Sequence, residues 1–267
     1  MLILYDGTTS VCAIKVRLTL FEMGIEFQSY NVNLRDGEQF SPDYLRLNPN
    51  AVVPTLVDGD TVVLESTIIM QYIEELNEKI SLVPQTPQTR AIMRMWLKKI
   101  DEIIHPATGI LTHATAFRPS FLQKSKQEQK VHLNKIPDIG RRNRQEAVYR
   151  EGLSSPIVEN AVWTYDKFIQ ELEDVLNRQD FIAGRLYSLA DAAVTPYINR
   201  LSALKLLTVW REKAPAVCDW YKRIHSRPSF SLAVTNYLEQ GDIKQFSQVD
   251  DNIPDVARRI LSQKRAY

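Results

Sequence analysis

An α/β unit followed by an all-helical bundle is the fold predicted for this 267-residue chain. Three observations predict it. Short apolar runs and helical periodicity alternate over residues 1–80 in the order β-α-β-β-β-α. Strand signals nearly vanish over 90–267. Between the two, residues 77–89 are polar and carry Pro84 and Pro87, as a linker does.

Leu2-Ile3-Leu4-Tyr5 is a short apolar strand. Ala13, Val16, Leu20 and Met23, with Ile14, Leu18 and Phe21 beside them, recur at helical spacing until Gly24 stops the helix. Phe27 to Val32 reads as a second strand, which a helical crossover places parallel to the first. Residues 53–58 and 61–64, joined at Asp58-Gly59, read as an antiparallel hairpin. The next helix puts Ile69, Tyr72, Ile73 and Leu76 on one face, with Ser66 as its N-cap. This order is that of a thioredoxin-like domain. In the second part, Met93, Trp96, Leu97, Ile100 and Ile104 mark one long helix. Residues 157–176 mark another, through Ala161, Phe168, Leu172 and Leu176. A third begins after Ser188-Leu189-Ala190-Asp191, where Ser and Asp side chains can satisfy orphan backbone donors. A fourth, with Val217, Trp220, Tyr221 and Ile224, ends before Pro228. Residues 117–155, rich in Lys, Arg, Gln and Glu, read as an extended helical excursion. That segment and the tail from Gln240 exceed what a minimal two-domain enzyme needs.

Composition narrows the function classes. With 33 Lys+Arg against 32 Asp+Glu, the chain is too balanced for a dedicated nucleic-acid or polybasic membrane binder. Apolar residues at 44% argue against wholesale disorder. No apolar run approaches the roughly 18–20 residues that span a bilayer. The first residues, Met1 to Asp6, lack the basic and apolar regions of a signal peptide. Two cysteines, Cys12 and Cys218, exclude a disulfide framework or a multi-thiolate zinc site. No metal site is expected. A cytoplasmic protein in a reducing compartment is the expectation.

Three features in the first unit carry chemistry. The first is Ser10, between strand one and helix one, where the positive end of a helix favours anions. A thiol placed against its hydroxyl would fall from a pKa of about 8.5 toward neutrality. Alone, Thr9 and Ser10 read as a helix cap. The second is Val53-Pro54 opening the hairpin; a cis bond there would turn the Val53 backbone toward a peptide-like ligand. Alone, it reads as a proline at the start of an edge strand. The third is Glu65-Ser66, where a hydroxyl and free N–H groups suit a carboxylate and Glu65 an ammonium. Alone, it is an N-cap beside an acid.

With these features in this order, the chain resembles the cytosolic glutathione transferase superfamily over nearly its full length. Asp36-Gly37-Glu38-Gln39-Phe40-Ser41, continuing through Leu47-Asn48-Pro49 into Val53-Pro54-Thr55-Leu56, is similar to the zeta class. The resemblance implies glutathione as co-substrate, its thiol activated by Ser10. It also implies that Gln39 and the Val53-Pro54 backbone contact the tripeptide and that Glu65-Ser66 holds its γ-glutamyl end. The Ser188–Asp191 box matches a superfamily hallmark, and a homodimer is implied. Two departures stand out. Ser10-Val11-Cys12 lacks the second hydroxyl of the zeta Ser-Ser-Cys run, which counts against maleylacetoacetate isomerase activity. Val52 stands where many relatives place Gln or Lys, so one polar glutathione contact is missing or supplied elsewhere.

The helical part resembles the β-aryl-ether-cleaving glutathione transferases through Met93-Arg94-Met95-Trp96, Lys99, Asp101, Asn134-Lys135-Ile136-Pro137 and Arg141-Arg142-Asn143-Arg144. A small, aromatic or hydrophobic electrophile is therefore expected. Its pocket would draw on His105, Thr108, Thr112 and His113, although a lone helical His more often packs or solvates. Two alternatives stay open. One is thioltransferase chemistry through Cys12, which otherwise reads as an inert buried thiol. The other is a non-catalytic binding protein that keeps the fold.

Overall fold

A computed structural model describes residues 1–76 and 80–263. The predicted architecture is present: a four-stranded mixed sheet with helices, followed by an all-helical part. The strands are β1 (Leu2–Asp6), β2 (Phe27–Asn31), β3 (Thr55–Asp58) and β4 (Thr61–Val63). They lie in the order β2-β1-β3-β4, with β1 and β2 parallel and the other pairs antiparallel. Helix α1 (Val11–Met23) makes the crossover between β1 and β2, and Gly24 ends it in the left-handed conformation that glycine adopts without steric cost. A short α2 (Pro42–Leu47) precedes β3, and α3 (Ser66–Glu75) follows β4.

Four boundaries differ from expectation. The strand β3 starts at Thr55 rather than 53, since Pro54 has no N–H for a ladder. Val32 lies outside β2 but stays buried against Tyr44 and Val53. Glu65, not Ser66, is the N-cap of α3; Ser66 is already helical, and Glu65 turns the chain at φ 67°. The linker expected over 77–89 is shorter, because the next helix begins at Pro87, after Thr86 caps it; residues 77–79 lie outside the described residues.

The second part opens with one long rod: α4 (Pro87–Lys99), a π-turn (Ile100–Ile104) and α5 (His105–Ala114). Pro106 sits in the first turn of α5, where a regular helix would ask it for an N–H it lacks. The π-turn reroutes the bonding there, as His105 N–H donates to Ile100 C=O. The excursion is helical as expected, in α6 (Arg118–Leu122), α7 (Lys126–Asn134) and α8 (Ile139–Glu151). Then come α9 (Pro156–Leu176), α10 (Leu189–Ala203), α11 (Pro215–His225) and α12 (Pro228–Ala233), and in the tail α13 (Gln240–Ser247) and α14 (Ile253–Ser262). The Ser188–Asp191 capping box forms at the start of α10. Asp191 is fully buried and accepts from Ser188 N–H, Ile182 N–H and the Trp220 indole. Burial still raises its carboxyl, to about 6, against those bonds.

One apolar core runs through both parts. Ile14, Leu18 and Ile69 of the first unit share it with Met93, Leu97, Leu172 and Leu201 of the second. Helix α1 packs on α3 to one side and on α10 and α12 to the other. The N-terminal end of α1 therefore meets the bundle directly.

Candidate functional site

The loop between β1 and α1 is the focus of the site. Ser10 is the N-cap of α1, and its hydroxyl oxygen accepts from Ala13 N–H at 3.3 Å. That bond occupies a lone pair and leaves the hydroxyl proton free to donate. Two buried arginines hold the loop behind it. Arg17, on α1, donates to the carbonyls of Gly7 (3.3 Å), Thr8 (2.9 Å) and Ala233 (2.8 Å), and it pairs with Asp6 at 3.1 Å. Arg200, on α10, donates to the Thr9 carbonyl.

Cys12 departs from the inert thiol expected of it. It is half-buried, and its Sγ lies 3.5 Å from His105 Nδ1 and 4.0 Å from the Tyr197 hydroxyl. Burial pushes the thiol up, but His105, then Lys15, and hydrogen bonds from His105 and Ser66 outweigh it. The result is a pKa of about 6. In return the Cys12 thiolate holds His105 above the usual imidazole range, against the opposing effect of burial. Lys15 is itself buried, with its ammonium 3.1 Å from Thr67 Oγ1 and 2.7 Å from Asp101 Oδ1. One charged cluster thus draws residues from α1, α3, the π-turn, α5 and α10.

The other predicted residues have varied surroundings. The Val53-Pro54 peptide is cis. Gln39 is buried; its amide N–H donates to the Leu34 carbonyl at 3.4 Å, and its Oε1 has no partner. Ser66 is buried beside Cys12, whereas Glu65 is exposed. The Val52 side chain is apolar, and its carbonyl accepts from Tyr44 and Asn48. Arg141 of α8 reaches the neighbouring Asn50 carbonyl at 3.4 Å, so the excursion touches the first unit here. Of the four pocket candidates, His105 joins the Cys12 cluster. Thr108 turns inward, donating to the Ile104 carbonyl and pairing with the Tyr165 hydroxyl. Thr112 is buried. His113 sits between the Tyr149 hydroxyl (2.6 Å) and Gln145 (3.1 Å), and burial, then His132, Arg141 and Arg200, depress it to about 3.

Sequence reasoning passed over Lys15, Tyr197 and Arg200. Arg200 carried a signal all the same. In the apolar run of α10, a charge that is not part of the capping box asks for an explanation.

Comparison with known proteins agrees with the fold. The model of the glutathione S-transferase N-terminal domain matches residues 1–75, and that of the C-terminal domain matches 152–228. The chain is 30% identical over 231 residues to protein LigF of Sphingobium sp. strain SYK-6, covering 85% of this chain and 90% of LigF. It is likewise 30% identical over 243 residues to a tetrachloro-p-hydroquinone reductive dehalogenase of Sphingobium chlorophenolicum, covering 86% and 94%. The crystal structure of the β-etherase LigF superposes with a TM-score of 0.79 at 28% identity, over 87% of this chain and 98% of that one. The chain belongs to the glutathione S-transferase family.

Proposed function

We propose that this glutathione transferase uses Ser10 to stabilise the glutathione thiolate for attack on a small aromatic or hydrophobic electrophile, with aryl ethers among the candidates. The observation that carries the reading is the capping geometry. The Ser10 oxygen accepts from Ala13 N–H, which leaves its proton to be donated to sulfur at the positive end of α1. Glutathione would lie across Gln39, whose Oε1 is buried without a partner, the Val53-Pro54 backbone, and Glu65-Ser66. Arg141, bonded to Asn50 O, is the side chain placed to supply the contact that Val52 lacks. The similarity to the β-etherase LigF supports the aryl-ether choice. Ser10→Ala should lower turnover of 1-chloro-2,4-dinitrobenzene by about 100-fold and leave the KM for glutathione within a few fold. Unchanged turnover would sink the assignment. A homodimer is inferred from the family, and sedimentation equilibrium tests it.

A second reading is favoured by one observation, the Cys12–His105 contact at 3.5 Å with a thiol pKa of about 6. A thiolate at neutral pH, on the same loop as Ser10, is equipped for disulfide exchange with glutathione. Cys12→Ser should then abolish reduction of a glutathione mixed disulfide. If Ser10 alone is the working group, it should do little.

A further inference from the structure

Arg200 presents a physical problem that the glutathione site does not solve. It is only 6% exposed. Its Nη2 donates to the Thr9 carbonyl, and the Phe246 ring covers its face with Cζ 4.6 Å from the centroid. Its Nη1 is buried and has no hydrogen-bond partner. Buried guanidinium groups are normally paired with an acid, because removing the charge from water is costly. The acid whose field reaches Arg200 is Asp242, and its carboxylate is taken up by Arg35 and the Glu239 N–H. A neutral carbonyl and a ring face offset only part of the desolvation. The neighbouring His113 is neutral and adds no negative charge.

We propose that Arg200 binds an anionic group, a carboxylate or a phenolate, on the aromatic electrophile. This inference rests on the glutathione transferase reading. Arg200 is bonded to Thr9, the residue before Ser10, so an anion there lies on the sulfur side of the site. The two carboxylates of glutathione would be engaged elsewhere, near Glu65-Ser66 and near Gln39 and Arg141. The surroundings suit an aromatic acid. Phe246 and Phe117 lie 6.3 Å apart, and Phe117 and His113 5.2 Å apart, so rings flank the cation. The ring of Phe246 takes the guanidinium face, and the buried Nη1 edge, which has no partner, suits a planar anion. Phe246 belongs to α13, which is tied to the first unit by polar contacts, Arg35 to Asp242 and Asn31 to Glu239 at 3.1 Å. Displacing that ring would open the edge.

A matched pair of substrates tests this on the full chain at saturating glutathione: 4-chloro-3-nitrobenzoate and its methyl ester. In each, the thiolate forms a thioether at the ring carbon and chloride leaves with the bonding electrons. The wild type should prefer the acid in kcat/KM. Arg200→Gln should lower the acid-to-ester ratio by at least about tenfold, whatever fall is common to both, and Arg200→Lys should retain part of it. An equal fall for both substrates would overturn the proposal, reducing Arg200 to a support for Thr9. A raised KM for glutathione with an unchanged ratio would also overturn it, assigning the anion to glutathione. Binding of 3-nitrobenzoate and its methyl ester, measured by calorimetry with S-methylglutathione present, needs no turnover. Acid-selective binding lost in Arg200→Gln would uphold the subsite even if neither chloride is displaced, in which case the transferase reading alone fails. Absence of acid-selective binding by the wild type sinks the subsite. Should Arg200→Gln not fold, Phe246→Ala serves instead: a larger preference for the acid over the ester than the wild type shows supports the proposal, and an unchanged preference counts against it.

Discussion

The two histidines of α5 stand on one helix and meet opposite fates. His105 is at the bundle's contact with the first unit, next to an acid that ionises, and its pKa rises. His113 is near the other end, amid rings and cations, and burial takes it down to about 3. Burial opposes the charged form of both. The difference lies in the partner: Cys12 supplies a thiolate, whereas Tyr149 and Gln145 supply only neutral hydrogen bonds. A buried histidine is thus held charged or held neutral according to the charge it faces.

That contrast can be broken or sharpened by experiment. The largest effect belongs to the structural histidine. His113→Ala orphans the buried Tyr149 hydroxyl and should cost about 2–3 kcal/mol in urea unfolding at pH 8, with the Cys12 alkylation profile unmoved. The same residue has a pH signature. Its folded pKa lies below its unfolded value near 6.5, so the unfolded chain binds the extra proton. Stability should therefore fall as pH drops from 6.5 toward 3, by up to about 1.4 kcal/mol per pH unit. The difference in unfolding free energy between wild type and His113→Phe, followed against pH, isolates that slope; parallel curves would contradict it. Next comes the chemical histidine. Alkylation of Cys12 by iodoacetamide, followed by mass, should show a midpoint near pH 6, and His105→Ala should slow it by about tenfold at pH 7. Equal slowing by His113→Ala would erase the distinction. The smallest change is expected of Tyr197→Phe, which removes a hydroxyl 3.3 Å from His105 Nδ1 and should shift the alkylation rate by about two- to threefold.

Much of this molecule was legible in its sequence where the signal is local. Gly24 ends α1, Ser188 and Asp191 cap α10, and Ser10 caps α1, each within a turn of the feature it controls. The boundary errors are local too: Pro54 lacked the donor for a strand, and Glu65 took the left-handed turn that moved the cap back one residue. The Cys12–His105 contact was illegible for another reason. It joins residues 93 positions apart through the packing of α5 against the first unit, and no periodicity encodes that. Thr108 shows the same limit: helical spacing puts it near His105, but only the fold reveals Tyr165 beside it. The partners of the basic run at 141–144 are equally invisible to the sequence: Arg141 reaches Asn50 and Arg142 closes on the Ile136 carbonyl.

The carbonyls of Gly7, Thr8 and Thr9 are fastened by Arg17 and Arg200, and Arg17 also holds Ala233 beyond the bundle's main helices. This wiring bears on how such proteins can be recombined. A first domain transplanted onto a relative's bundle would keep Ser10, Gln39, Val53, Glu65 and Ser66 and still lose the hand that sets Thr9. Exchange of one half should succeed only between chains that carry an arginine at the place of Arg200.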